Sequence, residues 1–228
     1  MAELTGHLQA ERVRSNLARL DEQIALAAER RPPAHDGSRR PKVQVLAATK
    51  YVAPEDMPAL AQAGVTLVGE NRAQDLERKV AAYGALFEWD FIGQLQSRRV
   101  RLIVPHVRLI HSVASESAMR ELERHRESAR EGLRILLEVD LAEESSKAGV
   151  APEQLEDMIA RAPFPVAGLM TMPPLSSDPE RSRRWFARLR ELADERGLEH
   201  LSMGTSQDYL VAVEEGATIV RIGTSLYR

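Results

Sequence analysis

The chain has no cysteine, which removes disulfides, thiolate metal sites and cysteine nucleophiles from consideration and suits a reducing compartment. It has no long apolar run, and nothing in it approaches the roughly 20 residues that a membrane-spanning helix needs. Met1-Ala2-Glu3-Leu4-Thr5-Gly6 lacks a basic segment followed by an apolar one, so no secretory signal is read there. Positive charge is not in excess: the net charge of −3 gives no general reason to expect nucleic acid or an anionic membrane as partner. The six histidines show no metal-ligand spacing, and no metal is expected. No internal repeat or linker is visible. With 43% hydrophobic and 29% charged residues over 228 positions, the expectation is a cytoplasmic soluble protein with one domain spanning residues 1–228.

What is present is a regular alternation. An amphipathic pattern over residues 7–30, with Leu8, Val13, Leu17, Leu20, Ile24 and Ala27 near a helical period, predicts a long N-terminal helix that ends at Pro32-Pro33. From about residue 42 short apolar runs alternate with amphipathic ones. The first is Val43-Gln44-Val45-Leu46-Ala47-Ala48-Thr49-Lys50, with a lysine at its end, and Pro54-Glu55-Asp56 then opens a helix. Helices are also expected over residues 97–104, 115–130 and 207–215. Eight strand candidates separated by seven helix candidates point to an α/β fold, a single (β/α)₈ TIM-type barrel with an extra long N-terminal helix. The chain ends just after the eighth strand, so the N-terminal helix is expected to fill the eighth outer place. An open doubly wound sheet is the alternative, but it offers no reason for eight even repeats.

In such a barrel every strand C-terminus meets on one face, where ligands bind. There the sequence places Lys50, Glu70-Asn71, Gly93-Gln94, His111-Ser112, Asp140, Met170-Thr171, Gly204-Ser206 and Gly223-Thr224. A buried stem at Lys50 would favour the neutral amine, the form that makes Schiff bases. The loops after strands seven and eight, Ser202-Met203-Gly204-Thr205-Ser206-Gln207-Asp208 and Arg221-Ile222-Gly223-Thr224-Ser225, read as a phosphate cradle of glycines, hydroxyls and the start of the helix after Ser206. Singly, Ser206 reads as a helix cap and Gly223 as a turn glycine. Together, opposite a strand-end lysine, they favour a phosphate-bearing carbonyl ligand, and pyridoxal 5′-phosphate (PLP) is the obvious one. His111 is expected to be structural. The basic run Arg98, Arg99, Arg101 and the arginines from Arg181 to Arg190 are expected to be solvated.

Several segments carry a resemblance from the first strand to the last: Ala47-Ala48-Thr49-Lys50, Gly69-Glu70-Asn71, Phe91 to Ser97, Ser146-Lys147-Ala148-Gly149, Gly168 to Met172, Leu201 to Gly204 with Ser206 and Asp208, and Val220-Arg221-Ile222-Gly223-Thr224. The chain resembles the pyridoxal phosphate homeostasis proteins, whose barrel is similar to the alanine racemase N-terminal domain. The resemblance implies that Lys50 holds PLP as a Schiff base, and that Ser206, Gly223 and Thr224 hold the phosphate. It places Arg221 by the pyridine nitrogen and Asn71 near the ring, with Lys147 as a secondary lysine at the mouth. The chain departs from the family pattern at Gln94, Arg98-Arg99, Ser145 and Thr205.

The function implied is intracellular PLP homeostasis without rapid catalysis, by a carrier resembling a fold-type III PLP enzyme. PLP-dependent apoenzymes are the implied recipients, and the protein is expected to be a monomer or weak homodimer. The alternative is a PLP-dependent amino-acid racemase-like enzyme. It is weakened by the expected absence of a second domain to supply a second base, and by Arg221, which would disfavour protonation of the ring nitrogen. A cofactor-free enzyme forming a Schiff base with a sugar phosphate is the third reading. It lacks an evident acid or base.

Overall fold

In a computed structural model that describes residues 7–34, 36–142 and 149–228, the eight expected strands close into a parallel barrel in chain order. They are β1 Gln44–Ala48, β2 Leu67–Glu70, β3 Glu88–Phe91, β4 Leu109–Val113, β5 Arg134–Glu138, β6 Val166–Met170, β7 His200–Thr205 and β8 Ile219–Ile222. Closure is made by β1 on β8, with Val45 opposite Val220, while Ala47 stands opposite Val68 of β2. Side chains alternate between the two faces of each strand. Leu46, Leu67, Leu109, Leu136, Met170 and Ile219 form a small apolar cluster of their own inside the barrel. Two residues further along the same faces stand Ala48, Gly69, His111, Glu138 and Arg221. The barrel is therefore apolar at mid-height and turns small and polar toward its C-terminal mouth. Among these, Gly69 has a packing reason, since a Cβ there would lie 2.4 Å from Leu46 Cδ2.

The larger core lies outside the barrel, under the helices. Helix α1, Ala10–Ala28, buries Val13, Leu20, Ile24 and Ala27. It crosses α7, Tyr209–Glu214, and α8, Thr224–Tyr227. Gln23 Oε1 accepts from Tyr209 Oη at 2.6 Å, and Asn16 Nδ2 donates to Leu226 O at 3.1 Å. The N-terminal helix thus covers the last βα step, as expected, although β8 is followed by one further turn, α8. The remaining α-helices are α2 Met57–Gln62, α3 Ala73–Tyr83, α4 Glu116–Arg124, α5 Leu155–Ala160 and α6 Arg183–Asp194.

Two expected helix spans and one expectation of exposure need correction here. Residues 97–104 do not form an α-helix: Ser97–Leu102 is a 3₁₀ segment whose bonds run from Arg99 N to Gln96 O and from Ile103 N to Val100 O. Pro105 supplies no N–H and disfavours α geometry at the residue before it, so the segment stays short. Helix α4 starts where Ser115 Oγ caps it, accepting from Ala118 N, but stops at Arg124 rather than Arg130. The chain must turn there, because Arg130 N donates to Val104 O at 2.8 Å and Gly132 sits at φ 75°. Finally, Arg183 and Arg190 are half-buried rather than solvated. Arg183 bonds Glu180, Glu214 and Glu215, and Arg190 bonds Glu215, which ties α6 to the end of α7.

Candidate functional site

The mouth of the barrel opens into a cavity of ≈ 460 Å³, within the size range of small-molecule sites. It is lined by Lys50, Asn71, Ser206, Arg221, Gly223 and Thr224 together, so the six cofactor residues read from the sequence share one cavity. Lys147 lies outside the described residues. Gln94 is exposed and does not line the cavity, whereas Thr205 does.

Lys50 stands two residues beyond β1, in a turn closed by Val52 N donating to Thr49 O at 2.9 Å. The buried stem expected for it is not found, because the turn carries the residue past the strand and leaves it exposed. Its ammonium lies 4.8 Å from the centre of the Tyr51 ring. Asn71 follows β2 directly, and Gly93 lets its backbone come close, since a Cβ at Gly93 would meet Asn71 O at 2.0 Å.

The opposite wall is made by the loops after β7 and β8. Ser206 Oγ accepts from Gly223 N at 3.2 Å and from Ser225 N at 3.4 Å, so it joins the two loops through the N–H groups that a phosphate would use. Ser206 is therefore not a helix cap. Helix α7 begins only at Tyr209, with Asp208 as the flanking residue. Asp208 Oδ1 accepts from Thr205 N at 2.8 Å and from Thr205 Oγ1 at 3.1 Å. The helix expected directly after Ser206 starts at Tyr209, which does not line the cavity, and the cradle consists of hydroxyls and the N–H groups of Gly223 and of Ser225 in the first turn of α8.

Arg221 forms the floor. Its Nη1 donates to Ser202 O at 2.8 Å and to Ser202 Oγ at 2.6 Å, and its Nη2 donates to Thr171 O at 3.1 Å. Burial pushes its guanidinium down to about 10, so it remains charged at neutral pH. Beneath it the bonds continue. His111 pairs with Ser202 Oγ at 2.8 Å and with Asp90 Oδ2 at 3.0 Å, and Asp90 accepts from Arg108 Nε at 2.9 Å. Burial lowers the His111 pKa against the opposing pull of Asp90. His111 thus has the structural role expected of it. Glu138, on the same barrel layer, is pushed up by burial to about 7, with Arg221 resisting the shift.

Two features of the cavity fit a phosphate-bearing aromatic aldehyde. Asn71 Oδ1 is buried and has no hydrogen-bond partner. At Gly223 a Cβ would meet nothing closer than Ala48 Cβ at 3.9 Å, so protein packing does not require glycine there. A side chain would instead occupy the cradle. Sequence reasoning missed Tyr227, Tyr51, Met172 and Leu175, which also line the cavity. Tyr227 is buried and donates to Ala48 O at 3.0 Å. The available signal was its position three residues after Thr224, close to the end of β8.

The family model for the alanine racemase N-terminal domain matches residues 39–228. The pyridoxal phosphate homeostasis protein of Aquifex aeolicus is 39% identical over 222 residues, covering 92% of this chain and 95% of that one. Among solved structures, PipY of Synechococcus elongatus with PLP bound matches with a TM-score of 0.76 at 29% identity, covering 95% of this chain and 100% of that one. Alanine racemase from Corynebacterium glutamicum matches with a TM-score of 0.65 at 18% identity, covering 100% of this chain and 63% of that one, a likeness of fold.

Proposed function

Because the chain belongs to the pyridoxal phosphate homeostasis protein family, we propose that it holds PLP in the mouth of its barrel, as one domain, without rapid catalysis. The observation that carries this is one cavity lined by an amine, Lys50, and facing it a hydroxyl and amide cradle at Ser206, Gly223 and Thr224. The PLP-bound relative supports the choice of ligand. Bound PLP supplies an aldehyde that can form a Schiff base with a lysine and a ring that can withdraw electrons.

The chain's own residues favour holding over turnover. Lys50 offers one amine on a turn, reachable from solvent. Arg221 donates in every bond it makes and stays charged, so it can meet a ring nitrogen only as a donor, which disfavours protonation of that nitrogen. Racemisation needs a base on each face of the ring. The Tyr227 hydroxyl is already committed to Ala48 O, and burial raises its pKa further. An exposed lysine with a solvated mouth suits slow release to PLP-dependent apoenzymes, in the cytoplasm, from a monomer or weak homodimer.

The test is borohydride reduction of PLP-loaded protein followed by peptide mapping. The label is expected on Lys50, and Lys50→Ala should abolish it. Lys147 is a candidate for minor labelling. Label at another lysine, or no label, would refute the reading. D/L interconversion of amino acids by loaded protein should stay well below ordinary turnover, roughly 1–10³ per second.

A further inference from the structure

Outside the barrel, directly behind the turn that carries Lys50, lies an ion pair with almost no access to water. Lys79, on the inner face of α3, is 2% exposed, and Glu70, the last residue of β2, is 0% exposed. Lys79 Nζ donates to Glu70 Oε2 at 2.6 Å and to Thr49 O at 2.8 Å. Thr49 Oγ1 donates to the same carboxylate oxygen at 2.8 Å. The other oxygen, Glu70 Oε1, accepts from Asn71 N at 3.1 Å.

These bonds converge on two backbone points. Thr49 O is the acceptor that closes the Thr49–Val52 turn, and Lys50 and Tyr51 are the two central residues of that turn. Asn71 N belongs to the residue that brings an orphaned amide oxygen to the cavity. Two buried charges thus grip the peptide on the N-terminal side of Lys50 and the peptide of Asn71 at once. Neither charge lines the cavity.

A buried ion pair is a weak stabilising device, because desolvation offsets most of its attraction, and apolar replacements of similar volume are often tolerated. Three hydrogen bonds from the pair to one turn and one loop call for a different explanation, namely orientation. Lys50 itself is exposed and has little side-chain packing to aim it, so its direction must come from its backbone.

We propose that the Lys79–Glu70 pair is the positioning element for Lys50: it fixes the turn so that the amine meets the carbonyl carbon of a ligand seated in the phosphate cradle. This rests on the PLP-holding reading above. No bond to the ligand is involved. The pair raises the rate and the extent of Schiff-base formation, a condensation in which the amine adds to the aldehyde and water leaves. It leaves recognition of the phosphate untouched, and its bond from Asn71 N needs only an oxygen acceptor, which Glu70→Gln retains.

The test uses the full chain carrying Glu70→Gln with Lys79→Met, which removes both charges and strands neither. Two ligands separate aiming from binding. Pyridoxamine 5′-phosphate has the ring and phosphate but no aldehyde, and it should bind the variant within about threefold of the parent. PLP should be fixed onto Lys50 by borohydride roughly 10- to 100-fold more slowly, the penalty expected for a reacting group misplaced by about 1 Å. If both ligands weaken together, the pair merely supports the fold and the proposal fails. If labelling of Lys50 is unchanged, the proposal also fails. Absence of Lys50 labelling in the parent protein would refute the PLP reading instead, so the two failures are distinguishable. Should the double variant not fold, Lys79→Arg, which keeps the charge but moves its donors onto a longer, planar group, decides by the same pair of ligands. Normal pyridoxamine phosphate binding with slowed labelling supports the proposal, and normal labelling overturns it.

Discussion

The cavity has two unlike walls. On the Arg221 side every donor shown is engaged with the protein: two carbonyls, one hydroxyl and, beneath them, a chain through His111 to Asp90 and Arg108. On the Lys50 side the amine is exposed, and the turn beneath it is held from behind. A group that recognises a ligand gains from being fixed beforehand, since ordering it on binding would cost entropy. A group that must form and release a covalent bond cannot be tied up by partners of its own. In this molecule hydrogen-bonded order sits around Arg221 and in the backbone behind Lys50, while the Lys50 side chain, proposed above to react, is exposed with its ammonium near the Tyr51 ring.

The largest test of that contrast compares one substitution on each wall. Arg221→Met leaves two buried carbonyls and the Ser202 hydroxyl short of a donor, and it should destabilise the protein by about 2–4 kcal/mol. Lys50→Met removes an exposed side chain and should change stability by no more than about 0.5 kcal/mol. Urea unfolding at pH 7 measures both. Equal losses would dissolve the distinction between the walls.

A second test takes the phosphate cradle, on the same side of the cavity as Arg221, one hydroxyl at a time or both together. Ser206→Ala with Thr224→Ala should weaken retention of PLP by about 1.5–3 kcal/mol per lost bond to the charged phosphate. The stability of the ligand-free protein should move much less, because Gly223 and Ser225 are half-exposed residues whose N–H groups can turn to water. Titration of PLP against each variant checks the first expectation, and thermal unfolding checks the second. Unchanged affinity would place the phosphate elsewhere.

The sequence made the first part of this legible and not the second. Eight apolar runs with turn signals specify a barrel because parallel strands must be covered on both sides. The C-terminal ends of those strands then fall on one face, so Lys50, Ser206 and Gly223-Thr224 could be brought together without coordinates. Burial at a single position could not be read that way. Lys50 is exposed because β1 ends at Ala48 and a turn follows, and element ends are where pattern reasoning is weakest. The start of α7 moved for a related reason: Asp208, not Ser206, satisfies Thr205 N. Lys79 was invisible because, on periodicity alone, a lysine in the middle of α3 belongs to its solvated face. Its burial depends on Glu70 pointing outward from β2, a contact set by strand register rather than by local pattern.

The smallest expected effect concerns charge on the Arg221 wall. Glu138 shares its barrel layer, and burial raises its pKa from 4.5 to about 7, with Arg221 pulling the other way. A carboxyl whose pKa is higher in the folded than in the unfolded chain takes up a proton on folding. The folded state therefore gains stability from the neutral form below about pH 4.5 and loses it as pH rises through about 7. The rise caps the effect at about 3 kcal/mol, and the residual solvent contact of a partly buried side chain lowers this to about 1–2 kcal/mol. Glu138→Gln keeps the shape and removes the titration. At pH 8 the variant should be more stable than the parent by that amount, and the difference should shrink as pH falls toward 5. Unfolding free energies of both proteins across pH 5–8 decide it. A variant less stable at pH 8 would mean that attraction between Glu138 and Arg221 outweighs desolvation. The recognising wall would then be organised by a charge pair, as the backbone behind Lys50 is, and the two walls would differ in exposure but not in the kind of force that holds them.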